Sequence, residues 1–160
     1  HLLYLQDNDG DENWHLHSVE LATQKDEDLT PLAKTSAELL QLSPKFPQEA
    51  LVGLNDRDPR LHDVYRLNLS TGKRTLVLKN ESWLSFVTDR NLNVRLATRM
   101  RPDGGMDVFT LDPKTHAPSA KPLMAISQAD FMTTGPVAEL GEPGRVEGPV
   151  DLRLFPANGP

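Results

Sequence analysis

The chain repeats itself, and that restricts its fold more than any other feature. Displaced by 48 residues, Leu2 to Lys25 aligns with Ala50 to Lys73 without a gap, and a displacement of 44 brings in a third copy from Val94 to about His116. Each copy has the same parts in the same order. A short strand-like segment (Leu2 to Gln6, Ala50 to Leu54, Val94 to Thr98) precedes an eight-residue loop. A second such segment follows (His15 to Leu21, Asp63 to Leu69, Asp107 to Leu111), and then a tight turn. Leu16, Val19 and Leu21, or Val64, Leu67 and Leu69, interleave with polar residues, and no 3.6-residue period runs for a useful length. Ser70-Thr71-Gly72-Lys73 and Asp103-Gly104-Gly105 supply the positive-φ positions that hairpin turns need. Further strands fit before each long hairpin, at Ala37 to Leu42 and Trp83 to Thr88, and after each short turn, at Arg74 to Leu78 and Lys121 to Ile126. Four strands in 44–48 residues is the period of a β-propeller blade.

The expected fold is therefore all-β, a partial β-propeller of about two and two-thirds four-stranded antiparallel blades. Residues 1–134 form the propeller part, with a partial blade at 1–32 and blades at 37–79 and 83–126. A Gly/Pro-rich tail, 135–160, is expected to be irregular except for some alternation at Val150 to Phe155. A closed ring takes at least about four blades. The expected partners are thus further blades, or other copies joined through open blade edges.

Composition excludes several function classes. The net charge of −6 leaves no basic footprint for nucleic acid. No apolar run reaches the roughly 18 residues of a membrane helix, and no signal peptide is legible. The absence of cysteine removes disulfides and thiolate metal sites and fits a cytoplasmic setting. No Gly-x-Ser-x-Gly elbow, phosphate loop or H-E-x-x-H helix occurs. No catalytic residue and no cofactor is expected in these residues.

Asp7, Asp9, Asp11 and Glu12 crowd one hairpin loop. A calcium loop counted from Asp7 would need Gly at its sixth position and an acid at its twelfth, where Glu12 and Ser18 stand. The reading preferred is a wide hairpin whose Asx side chains bond nearby backbone, with Gly10 in the left-handed position. Asp9 and Glu12 also occupy the places of Arg57 and Arg60 in the second copy. Opposite charges at equivalent loops of neighbouring blades predict pairing across a blade seam. His15 and His17 share a strand face but lack a third ligand for zinc. Trp14, Trp83, Tyr65, Phe86 and Phe109 read as blade core, with Tyr65 and Phe109 at equivalent positions.

"LYLQDNDGDENWHLHSVELAT", "VGLNDRDPRLHDVYRLNLSTGK" and "DFMTTGPV" resemble the N-terminal propeller of prolyl oligopeptidase-family serine peptidases, on the acylaminoacyl-peptidase and dipeptidyl-peptidase-like side. The resemblance covers roughly residues 1–137. It implies a non-catalytic propeller that sits over an α/β-hydrolase domain and limits access to short peptides. The serine, aspartate and histidine of catalysis would lie in that other domain. It also implies that the acids of residues 7–12 could line a peptide-facing rim and attract a peptide's N-terminal ammonium group. The alternative is a stand-alone propeller-repeat binding or scaffold module with no enzymatic role.

Overall fold

The computed structural model describes residues 1–138 and 152–153. Among these, every regular element is a β-strand. The first sheet holds β1 (Leu2–Gln6), β2 (His15–Val19) and β3 (Asp26–Asp28), in that spatial order. The second holds β4 (Ala37–Leu42), β5 (Glu49–Asp58), β6 (Leu61–Asn68) and β7 (Arg74–Leu78). The third holds β8 (Ser85–Thr88), β9 (Val94–Met100), β10 (Met106–Thr110) and β11 (Met124–Ile126). All three are antiparallel meanders in which sequence neighbours pair, the form of a propeller blade. The chain is all-β and partial-propeller-like, as the repeat predicts. Most of the tail expected to be irregular lies outside the described residues. Within it β12 (Val137–Ala138) pairs with β13 (Leu152–Arg153).

Two compact units divide the chain, the second beginning at Ser82. In the first unit the first two sheets pack face to face. Leu16 of the first sheet and Leu29, just past the end of β3, meet Ala37, Ala50, Val52, Leu54 and Leu67 from the other, with Leu3, Leu39 and Tyr65 packed around them. These side chains alternate along each strand, so one face of each sheet is apolar by the two-residue period alone. In the second unit Leu96, Met106, Val108 and Ile126 form a core that Val87, Met124 and Phe131 border.

Register shows how far the repeat is physical. Leu2 faces Val19 and Tyr4 faces His17; 48 residues on, Ala50 faces Leu67 and Val52 faces Tyr65. The third copy departs by one residue. An unbroken displacement of 44 would set Phe109 opposite Leu96, but Phe109 faces Ala97. A one-residue slip exchanges the two faces of a strand. It lets Leu96 and Val108 share the buried face, while Phe109 joins Ala97 on the other.

The short turns repeat faithfully. Gln24, Gly72 and His116, at equivalent positions, all have positive φ, of 58°, 65° and 57°. Each donates its N–H to the carbonyl four residues back, on Glu20, Asn68 and Asp112 at 2.8, 2.9 and 2.9 Å. Only the middle copy uses glycine, the residue that adopts this conformation without steric cost.

The long hairpins do not repeat, although their loops were expected to be equal in length. In the first copy residues 7–14 stay outside the strands, with Asp9, Gly10 and Glu12 all at positive φ. In the second, strand runs to Asp58 and resumes at Leu61, so Pro59 and Arg60 make the turn. The extra residues are absorbed as a bulge, where pairing shifts between Leu54 and Asp58.

Candidate functional site

The polar residues singled out in the sequence gather in the hairpin loops of the first two sheets. The acidic hairpin is tied together from within. Asp7 accepts the Glu12 N–H at 3.3 Å, and Asp11 accepts the N–H groups of Asn8 and Asn13 at 3.3 and 3.0 Å. The Asn13 side-chain amide returns two bonds to Asp11, on its carbonyl and its carboxylate, at 3.2 and 3.0 Å. These donors, the Asn13 side chain first, hold the Asp11 carboxyl below its ordinary value. Gly10 takes the left-handed position at φ 81°, as the turn reading requires. Asp9 and Glu12 are exposed, and their carboxylates take no part in these bonds. Among the described residues no three His, Asp or Glu side chains are grouped so as to hold a metal ion.

Arg57 and Arg60 do not reach across to Asp9 and Glu12, as the seam pairing predicted. Each turns back on its own hairpin. The Arg57 guanidinium forms a two-pronged bond with Asp63, both contacts at 2.8 Å, and also donates to the Asn80 carbonyl. Asp63 lies on β6 and is 1% exposed. It accepts the Asn80 N–H at 2.7 Å as well. Burial pushes its carboxyl up, but the bonds from Arg57 and Asn80 and the nearby positive charge outweigh that and leave it below the usual carboxylate range. Arg60 pairs instead with Asp58, two residues before it, at 2.9 Å. That partner holds the Asp58 carboxyl down at about 2.

The run Asn55-Asp56-Arg57-Asp58-Pro59-Arg60 is spent on ties within its own hairpin and to the segments at Ser36 and Asn80. The Asn55 side chain accepts the Ser36 N–H at 2.6 Å and donates to the Pro59 carbonyl at 3.2 Å. Asp56 accepts the Tyr65 hydroxyl at 3.1 Å. Burial and the Asp56 charge raise the Tyr65 hydroxyl above its ordinary value. A motif that looks chemical in the sequence is a stapled hairpin in the fold.

Sequence reasoning missed the other half of the staple. Forty-four residues on from Arg57 and Asp63, Arg101 and Asp107 are paired at 3.3 Å, and Arg101 also takes Asp103 at 3.0 Å. The recurrence of an Arg and an Asp at the same interval was available as a signal. In the first copy the same two places hold Asp9 and His15. The staple is replaced there by another tie: His15 bonds Asp28 through Nδ1 at 2.7 Å and the Leu32 carbonyl through Nε2 at 3.1 Å. His17 shares that face, bonds Asp26 at 3.2 Å and stacks on Tyr4 at 5.0 Å. Tyr4 in turn donates its hydroxyl to Asp26 at 2.9 Å.

Among the aromatic residues, Trp83 meets Phe109 edge-on at 5.6 Å and carries the Arg99 guanidinium over its ring at 4.2 Å. Trp14 departs from the core reading, being 43% exposed beside the acidic loop.

Two curated proteins resemble the chain. Dipeptidyl aminopeptidase BIII of Pseudoxanthomonas mexicana is 47% identical over 109 residues, 68% of this chain. Dipeptidyl peptidase family member 6 of Caenorhabditis elegans is 36% identical over 111 residues, 66% of this chain. The chain is similar to a part of two dipeptidyl peptidases. It spans only 16% and 15% of their lengths. No family model matches the chain, and no solved structure does. The chain's charged side chains mostly bind one another and the backbone, and the acids of residues 9 and 12 are left at the surface.

Proposed function

We propose that the chain is a non-catalytic, propeller-type region of a dipeptidyl-peptidase-like serine peptidase of the prolyl oligopeptidase family. In this reading it limits which peptides reach a catalytic α/β-hydrolase domain elsewhere in the parent protein. The observation that carries the proposal is the 47% identity to a named dipeptidyl aminopeptidase over 109 residues. Three blade-like sheets support it. So does the absence of a nucleophile elbow from the sequence.

The test is direct. Residues 1–160, incubated with chromogenic dipeptidyl substrates and a serine-directed probe, are expected to show neither hydrolysis nor labelling. Turnover above a blank would end the proposal for this region.

The acidic hairpin is the best candidate for a peptide-facing rim. Exposed carboxylates on a loop held by its own hydrogen bonds suit capture of a peptide's N-terminal ammonium, an electrostatic task. In the parent peptidase, Glu12→Gln is expected to raise KM severalfold for peptides with a free amino terminus. N-acetylated peptides are expected to be unaffected. An equal change for both would refute the rim reading.

A further inference from the structure

An aspartate that precedes glycine can react with its own backbone, because no side chain shields the glycine nitrogen from the aspartate Cγ. The sequence holds two such steps, Asp9-Gly10 and Asp103-Gly104. The fold treats them oppositely. At the second step every reacting group is engaged. The Asp103 carboxylate accepts the Arg101 guanidinium through both oxygens at 3.0 Å, and Oδ1 also accepts the Gly105 N–H at 3.0 Å. The Arg101 side chain first, and then the Gly105 N–H, hold that carboxyl below its ordinary value, so the acid form that can lose water is scarce. The Gly104 N–H is spent on the Arg101 carbonyl at 3.0 Å. The Gln128 side chain lies 3.0 Å from where a β-carbon on Gly104 would stand. At the first step none of these restraints operates. Asp9 and Gly10 are both exposed. Among the described residues neither the Asp9 carboxylate nor the Gly10 N–H has a hydrogen-bond partner. No atom lies within 4 Å of where a Gly10 β-carbon would stand. Asp9 sits at φ 54°, a conformation that a side chain makes costly. The turn's own bonds across the step are long: Asp11 N–H to the Asn8 carbonyl at 3.2 Å, and Asn8 N–H to Asp11 and Glu12 N–H to Asp7 at 3.3 Å.

We propose that Asp9-Gly10 is a site of spontaneous isoaspartate formation, and that the fold protects Asp103-Gly104 from the same reaction. The Gly10 nitrogen attacks Cγ of the protonated Asp9 carboxyl. A C–N bond forms and the Cγ–O bond to the hydroxyl breaks. That hydroxyl and the Gly10 amide proton leave together as water. The product is a five-membered cyclic imide, and water then adds to one of its two carbonyls. Opening at Cγ restores aspartate. Opening at the main-chain carbonyl routes the chain through Cβ and Cγ and leaves a free α-carboxylate. The isoaspartyl form puts one more carbon into the backbone between Asp7 and Glu12, so the bonds that close the hairpin no longer span the same distance. Its α-carboxylate is the chemical group that isoaspartate-specific carboxyl methyltransferases accept. As the protein ages, the hairpin therefore becomes a substrate of that class.

To test this, the chain is aged in neutral buffer at physiological temperature. It is then treated with an isoaspartate-specific carboxyl methyltransferase and a labelled sulfonium methyl donor, and peptide mass spectrometry locates the methyl groups. Methyl acceptance is expected to accumulate at Asp9 at least tenfold faster than at Asp103. In concentrated urea, where the fold restrains neither step, the two rates are expected to become comparable. Asp9→Glu, whose longer side chain would have to close a six-membered ring, is expected to keep the fold by circular dichroism and to lose the signal at residue 9. No methyl acceptance at Asp9, or equal rates at the two steps in the native chain, would overturn the proposal. So would a difference that persists unchanged in urea, because it would then come from local sequence and not from the fold. An Asp9→Glu chain that accepts as much methyl at residue 9 as the unaltered one would overturn it as well.

Discussion

Asp63 is a buried polar anchor of the second sheet. It is buried, and it accepts bonds from Arg57 and from the Asn80 backbone, so its loss strands two donors at once. Hydrogen bonds to charged groups contribute about 1.5–3 kcal/mol, and buried donors left unmet add to the loss. Asp63→Ala is expected to destabilise the chain by about 2–4 kcal/mol, read from the urea midpoint. Asp63 and Asp58 both have folded values below their unfolded ones. Such groups stabilise the native state at every pH above the unfolded value, about 3.9 for aspartate. They give up that contribution as the pH falls through the folded value. Stability is therefore expected to be level from pH 7 to about 5 and to drop below about 4, with a shallower drop in Asp63→Ala. A midpoint that rose on acidification would contradict this.

The strands themselves were largely legible. Leu2–Gln6, Ala37–Leu42 and Arg74–Leu78 end where alternation and turn residues place them. The turn at Gly72 was legible as well, and its copies at Gln24 and His116 hold the same conformation without glycine's help. An αL residue with a side chain costs about 1–2 kcal/mol relative to one without strain. His116→Gly is accordingly expected to stabilise by about 1 kcal/mol, seen as a higher Tm, while Gly72→Val is expected to lower it. What was hidden in the sequence was register and partner choice. Nothing local says that β9 slips by one residue, because the slip is decided by which face Leu96 and Val108 can bury together. The same holds for Arg57. Its neighbours in the alignment suggested Asp9, yet a carboxylate six residues ahead on the same hairpin closes a far shorter loop. At the core, Leu54→Ala removes a fully buried side chain and is expected to cost about 2–5 kcal/mol.

At the level of the molecule, the chain is a series of similar sheets, each built on contacts close in sequence. Such arrays fold and fail unit by unit. Scanning calorimetry of residues 1–160 is expected to show more than one transition, since each unit has a core cluster of its own. A single sharp transition with equal calorimetric and van't Hoff enthalpies would show that they unfold together. The tie from Asp63 to Asn80 has a further, mechanical meaning. β7 is the last strand of its sheet and the easiest to peel, being paired on one side only. Asn80 follows it by two residues and is pinned to β6. A pull on the chain beyond residue 80 is therefore carried past β7 and delivered to the interior of the sheet. The outer strand is shielded from load by a clasp at its own exit, and in a force trace the clasp, not the strand, would set the first rupture.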